Sequence, residues 1–382
     1  MELIKWEIKK ILSLPMIVIF LVLCIVFNFI LMTDGFFWNG GIDYVRYINQ
    51  VTKKIGGQMG EEFDKMAAAL PKQEEKTRLL AETEGRVDCL EDYQTAEIAD
   101  YYIGKFQITG VTANILKHKY QRLQARVEEL AKQDASMSLA AAGITNRLLK
   151  HLFERLCKTV ITQGMLLSIF IALYLCGNEQ MQRTHWIVYT TRKGRRIQQE
   201  KWVAGIGISL LAYGILAGCM VIGFSGIWRM GEIWNGKMSS QFYAISDLGV
   251  SLPFVSCADF TIRGYLAAVI GMGMVVVILF YNLGYAIGLL IPHTYFGFLV
   301  ILVLVAINFE LIMMAGNGGM WGLYELALWS PVGVWWESPV WFSELGVSRM
   351  VKWQECWVGG IWSGICFGFS WIGLQLFYKK EL

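Results

Sequence analysis

Charge is scarce in this chain: Asp, Glu, Lys and Arg make up 17% of its 382 residues, while 55% are hydrophobic and the mean hydropathy is +0.44. A soluble core of that size cannot hide so much apolar surface, so water is excluded as the main solvent. The usual marks of metal, disulfide and hydrolytic chemistry are missing as well. The eight cysteines form no C-x-x-C pair, and Cys24, Cys176, Cys219 and Cys366 lie inside apolar runs, where a thiol reads as a small packing residue. Neither a disulfide framework nor a metal site is expected. The histidines His118, His151, His185 and His293 are scattered, with no H-E-x-x-H helix to hold zinc, and no G-x-S-x-G elbow occurs. Gly231, Gly236 and Lys237 fit the phosphate-cradling spacing G-x-x-x-x-G-K, but Met238 follows where Mg²⁺ needs a hydroxyl, and no strand pattern leads in. No catalytic residue is expected, therefore, and any ATP chemistry must reside on another chain. A net charge of +3 is too small to suggest a nucleic-acid partner.

What the chain does have is long apolar runs of about 20 residues, each enough to cross roughly 30 Å of hydrocarbon. The expected fold class is an all-α polytopic membrane protein with six spans, at 13–33, 156–177, 202–228, 264–291, 295–315 and 355–378. Residues 1–12 set Ile4, Ile8, Ile11 and Leu12 near one helical face with Lys5, Lys9 and Lys10 elsewhere, the pattern of an interfacial amphipathic helix. The first run reads as a retained span and not a secretory signal, because it is long and no small-residue cleavage site precedes Thr33-Asp34-Gly35. Pro292-His293-Thr294 is so short a turn that spans 4 and 5 must form an antiparallel hairpin.

Orientation comes from the segment 178–201, which holds Arg183, Arg192, Lys193, Arg195, Arg196 and Lys201 against Glu179 and Glu200. Positive charge of this density stays in the cytoplasm. Six spans then put both termini inside, together with Lys5, Lys9, Lys10, Lys379 and Lys380; the two shorter outer loops carry only Arg229, Lys237, Arg263, Arg349 and Lys352. Segment 34–155 is polar and helical and falls outside the cell. In it Leu116, Tyr120, Leu123, Val127 and Leu130 recur at spacings of three and four, a seam for another helix, with Lys117, Lys119, Arg122 and Arg126 between them. A looser stripe through Leu79, Leu80, Val87, Leu90, Tyr93 and Ile98 could be the partner, and the whole insert reads as a solvated helical domain. The outer loop 229–263 has room for short interfacial helices. Segment 316–354, with Trp321, Trp329, Trp335, Trp336 and Trp341, has the composition of a stretch lying in or dipping below the outer interface.

Glu179, Thr184, the Tyr189-Thr190-Thr191 run, Arg192-Lys193-Gly194-Arg195 and the later Lys201 resemble the cytoplasmic coupling loop of type-2 ABC exporter permeases. The layout of an elbow helix, six spans, a coupling loop between spans 2 and 3 and a re-entrant segment before span 6 resembles that family over nearly the full length. The insert after span 1 departs from its minimal pattern and is similar to Gram-positive members tied to peptide export or immunity. The resemblance implies a permease subunit in the cell membrane of a Gram-positive bacterium. It implies a second permease copy and two copies of a cytoplasmic ABC ATPase that carries the ATP and Mg²⁺. It assigns ATPase coupling to Glu179, Arg183, Trp186, Tyr189, Arg192, Lys193, Arg195 and Arg196, and suggests an amphipathic or antimicrobial peptide as cargo, with drugs, lipids and ions as alternatives.

Within the spans the polar residues Asn282, Asn308 and Glu310 stand out. A charge at membrane depth costs about 2.5–3.5 kcal/mol on insertion scales, which makes Glu310 a candidate for a substrate pathway. It lies about 16 residues, or roughly 24 Å, above the inner turn, so pairing near the outer headgroups is the competing reading. A rival function of another class is a sensor whose outer domain binds a ligand and whose basic loop docks a regulator; an intramembrane enzyme is disfavoured by the scarcity of ionisable residues in the spans.

Overall fold

The computed structural model describes residues 9–11, 14–33, 40–60, 63–68, 73–84, 88–184, 197–291, 293–344 and 346–379. Six helices among them are long and apolar enough to cross a membrane. They are span 1 (Pro15–Met32), span 2 (Ile144–Met181), span 3 (Ile197–Trp228), span 4 (Ile262–Leu290), span 5 (Thr294–Asn317) and span 6 (Gln354–Gln375). A polytopic, almost wholly helical membrane protein is therefore what the sequence folds into. Spans 2 and 4 pack along each other and form the centre, with spans 3 and 6 laid against them. Of the apolar window of span 2, 78% is buried, against 22% in span 1 and 17% in span 5, so the last two present most of their surface to lipid.

Close approach of the central helices uses missing side chains. A Cβ at Gly205 of span 3 would fall 2.1 Å from the Tyr281 hydroxyl of span 4. Gly284 and Gly288 press span 4 onto Ile169, Ala172 and Cys176 of span 2, the use expected of small residues in lipid. The glycines at 214, 218, 360, 364 and 368 meet nothing within 4 Å and face outward. Cys24, Cys176 and Cys366 are buried as packing residues, while Cys219 is exposed.

Two span boundaries differ from the sequence expectation. Span 2 begins at Ile144 and not at 156, passing through a π-helical turn at His151–Cys157. The charges of 147–155 hide this extension from hydropathy, but Leu148, Leu149, Leu152 and Phe153 on the same turns are buried against the outer insert. Span 3 begins at Ile197, inside the segment read as loop.

The outer insert contains α1 (Ile42–Ile55), α2 (Phe63–Ala68), α3 (Gln73–Glu82), α4 (Thr95–Phe106) and α5 (Gly110–Ala131). The seam on α5 is real: Leu116, Tyr120, Leu123, Val127 and Leu130 are all buried. Its partner is α4, through Ala99 and Tyr102, with the Tyr102 and Tyr120 rings 6.4 Å apart. Leu79 instead joins Val51, Phe63 and Ala67 in a separate small cluster. The insert is not a free solvated domain, because α4, α5 and the adjoining halves of spans 2, 3 and 4 share one continuous apolar core.

Loop 229–263 also departs from expectation. It carries a β-hairpin, β1 (Ala244–Asp247) paired antiparallel with β2 (Val250–Pro253), turned by Leu248 and Gly249 at φ 47° and 74°. Two consecutive residues at positive φ are what a two-residue hairpin turn needs, and Leu at the first of them hides the turn from sequence reading. Segment 316–354 folds as α6 (Trp321–Leu328) and α7 (Pro331–Trp336). Ser330 caps α7, accepting from the Gly333 N–H at 3.0 Å with Pro331 in its first turn. α7 then packs against spans 2, 4, 5 and 6.

Candidate functional site

At its C-terminal end, span 2 closes with Arg183 N–H donating to the Gln180 carbonyl at 3.1 Å and Thr184 N–H to the Glu179 carbonyl at 2.9 Å. Arg183 sits at φ 56°, where glycine is the usual occupant of such a helix end. Just inside it, the Glu179 carboxylate pairs with the Lys201 ammonium of span 3, and Lys10 approaches the same oxygen at 3.6 Å. Lys201 also donates to the Leu175 carbonyl at 3.1 Å and is fully buried, while Glu179 is 4% exposed. One carboxylate thus clasps the segment before span 1, the end of span 2 and the start of span 3.

The same start of span 3 is pinned to span 4. The Tyr285 hydroxyl donates to the Gln198 carbonyl at 2.7 Å, the Tyr281 hydroxyl to the Trp202 carbonyl at 3.1 Å, and the Trp202 indole N–H to Asn282 Oδ1 at 2.9 Å. Asn282 Nδ2 donates to the Ile278 carbonyl at 2.9 Å, and its own carbonyl accepts from Ser370 of span 6 at 3.0 Å. Asn282 therefore ties spans 3, 4 and 6 together.

The other two polar residues of the spans are not brought near it. Asn308 Oδ1 accepts from the Ser330 hydroxyl at 2.8 Å and anchors the start of α7 on span 5. Glu310 is exposed, and among the described residues it has no ion pair or hydrogen bond. Its neighbours Leu304, Ile307, Met313 and Met314 are exposed too, so the carboxylate stands on a face otherwise suited to lipid.

Of the coupling residues drawn from the loop, Glu179 and Arg183 are placed as above. Trp186, Tyr189, Arg192, Lys193, Arg195 and Arg196 lie outside the described residues. Gln198, Trp202 and Tyr285 are contributors that sequence reasoning passes over. Lys201 enters the resemblance only as the residue that opens the next span, and nothing local announces its ion pair with Glu179.

A second polar assembly sits at the opposite end of the bundle. Asp247 of β1 accepts from the Val347 N–H at 2.5 Å and the Ser348 hydroxyl at 2.9 Å. Lys119 of α5 donates to the Gly346 carbonyl, and the Gly346 N–H donates to the Tyr120 hydroxyl at 3.2 Å. Gly346 has φ 92°, and a Cβ there would come within 2.3 Å of the Asp247 carboxylate, so only glycine fits. Arg349 follows, bound to Glu355 of span 6 at 2.6 Å and to the Glu337 carbonyl at 3.1 Å. The strap 342–355 thereby ties α5, β1 and the start of span 6 into one unit. Arg126 adds a second tie, to the Ser256 carbonyl at 3.0 Å and to Asp259 at 2.8 Å.

Burial dominates the titration of this cluster. It pushes the Glu325 carboxyl up to about 8, against the pull of Lys119, and the Glu337 carboxyl up to about 7, against the pull of Arg349. It draws the Lys119 ammonium down to about 8, although Asp247, Glu325 and Glu344 oppose that. Neither Glu325 carboxylate oxygen has a hydrogen-bond partner, as suits a group kept neutral. Beside the cluster opens a cavity of about 330 Å³ whose lining includes Asp247, Tyr324, Trp336 and Glu337, with Lys158 across from them.

Comparison of the chain with protein-family models, with curated proteins and with solved structures finds no match.

Proposed function

We propose that this chain is the transmembrane permease subunit of an ATP-driven exporter. The observation that carries the reading is the buried clasp of Glu179, Lys201 and Lys10, which joins the residues at either end of the basic segment. A partner that pushes on the loop acts on three helical segments at once, and Gln198, Trp202 and Asn282 pass the displacement on to spans 4 and 6. That is the wiring an alternating-access device needs between a motor and its bundle. The motor is a separate cytoplasmic ABC ATPase, present in two copies and holding ATP and Mg²⁺, and the chain supplies no catalytic residue. Both termini lie in the cytoplasm.

A second permease copy completes the reading. An exposed carboxylate on an apolar helix, about 24 Å above the inner turn, is costly against lipid, and covering the Glu310 face of span 5 by another subunit removes that cost. The cargo we favour is a cationic amphipathic peptide, for which the outer cavity offers carboxylates beside the Trp336 and Tyr324 rings.

The test is ATP hydrolysis by the chain co-purified with its ATPase. The chain alone is expected to hydrolyse no ATP, and the complex to be stimulated by cargo. Reversing Arg192, Lys193 and Arg195 to Glu is expected to return hydrolysis to the level of the ATPase by itself. Full stimulation in that variant removes the docking proposal.

A further inference from the structure

A groove of about 420 Å³ opens sideways between the outer ends of spans 1 and 2, lined by Phe27 and Leu31 on one side and by Glu154, Arg155, Lys158 and Thr159 on the other. Its floor is closed by a reciprocal amide pair, Asn28 Nδ2 to Gln163 Oε1 at 2.8 Å and Gln163 Nε2 to Asn28 Oδ1 at 2.9 Å. The depth of the groove follows from the inner clasp. Lys158 lies about 21 residues before Glu179, or about 32 Å along the helix, and Arg155 one turn higher. With Glu179 at the inner boundary and a hydrocarbon layer of roughly 30 Å, both cations stand at the level of the outer headgroups.

Their chemistry is that of a phosphate site. Arg155 is exposed and forms no ion pair or hydrogen bond among the described residues. Lys158 spends one N–H on the Trp336 carbonyl at 3.0 Å and rests on the Trp336 ring at 3.9 Å, which holds the ammonium in place with further donors to spare. Arg155, Lys158 and Thr159 all line the groove, which gives it a guanidinium fork, an ammonium and a hydroxyl as donors. Glu154 balances one of the two cations and leaves the site a net charge of +1, the complement of a single phosphodiester. Below the cations, Phe27 and the exposed Leu23 and Val26 of span 1 offer an apolar track toward the bilayer centre.

We infer that this groove binds one outer-leaflet phospholipid, its phosphodiester on Arg155 and Lys158 and an acyl chain along span 1. Basic pockets between membrane helices take lipid headgroups by these contacts, and Arg recognises phosphate through its fork. The site does not depend on what, if anything, the chain transports.

The experiment is native mass spectrometry of the full-length protein released from nanodiscs containing palmitoyl-oleoyl phosphatidylglycerol. The wild-type protein is expected to keep one phospholipid per chain through detergent washing. Arg155→Ala is expected to lower that occupancy at least tenfold, Thr159→Val to lower it less, and Arg155→Lys to keep part of it. Diacylglycerol with the same chains, lacking the phosphate, is expected not to be retained. Because Arg155 is exposed, the lipid-free unfolding temperature of Arg155→Ala should equal that of the wild type. Equal occupancy in the wild type and Arg155→Ala, or equal retention of diacylglycerol, overturns the inference.

Discussion

Replacing Glu179 with alanine is expected to destabilise the protein by about 3–5 kcal/mol, the range found when one partner of a buried ion pair is removed. The wild-type pair gains little net energy over apolar packing, because two charges must first leave water. Its loss is severe for a different reason: Lys201, fully buried, would be left among the described residues with only the Leu175 carbonyl as partner. The double variant Glu179→Leu with Lys201→Met removes both charges and is therefore expected to recover most of the stability. Thermal unfolding of the detergent-solubilised protein checks both. An alanine variant that unfolds with the wild type would mean that the clasp holds nothing together.

Stability is also expected to depend steeply on pH, with a minimum near pH 8. Glu325 and Glu337 titrate at about 8 and about 7 in the folded protein, above the ordinary glutamate value of 4.5, so the folded state binds protons that the unfolded chain has already released. Their contribution is fully present below pH 4.5 and is lost as pH rises through 7 and 8. Lys119 behaves in the opposite sense. Its folded value of about 8 lies below the ordinary 10.5, so it contributes stability above pH 10.5 that is lost as pH falls through 8. Each group changes stability by up to about 1.4 kcal/mol per pH unit inside its window. The two carboxyls together therefore amount to several kcal/mol between pH 5 and pH 8. The unfolding temperature should fall across that range and rise again toward pH 10. Glu325→Gln with Glu337→Gln should flatten the acid limb and leave the alkaline rise. A flat profile in the wild type would contradict this picture of the strap.

Hydropathy made the six spans legible, because lipid tolerates few other solutions for apolar runs of that length. It could not place the start of span 2, where Arg147, Lys150 and Arg155 share helical turns with leucines buried against the insert. Nor did it show that Lys119 and Arg126 are buried; a charge on an amphipathic helix reads as solvated unless its distant partner is known. Gly346, Ser256 and Asp259 are those partners, each more than 120 residues away. Asn282 illustrates the converse. As a lone amide in an apolar helix it suggests a pathway, yet its side chain is taken up by Trp202 and by its own helix. The resemblance assigns Glu179 to ATPase coupling without saying where its carboxylate goes; it turns inward to Lys201. The hairpin at 244–253 went unread because its turn opens on Leu248 and not on Asn or Asp.

Everything in the account depends on the basic segment facing the cytosol. Cysteine labelling in intact cells tests this most directly, in a background where the exposed Cys219 and Cys356 are replaced by serine. A membrane-impermeant maleimide should react with Lys132→Cys, at the exposed end of the outer insert, without opening the cells. It should reach Lys193→Cys only after permeabilisation. Labelling of Lys193→Cys in intact cells at the rate seen for Lys132→Cys would reverse the topology and remove the site where a cytoplasmic motor could act.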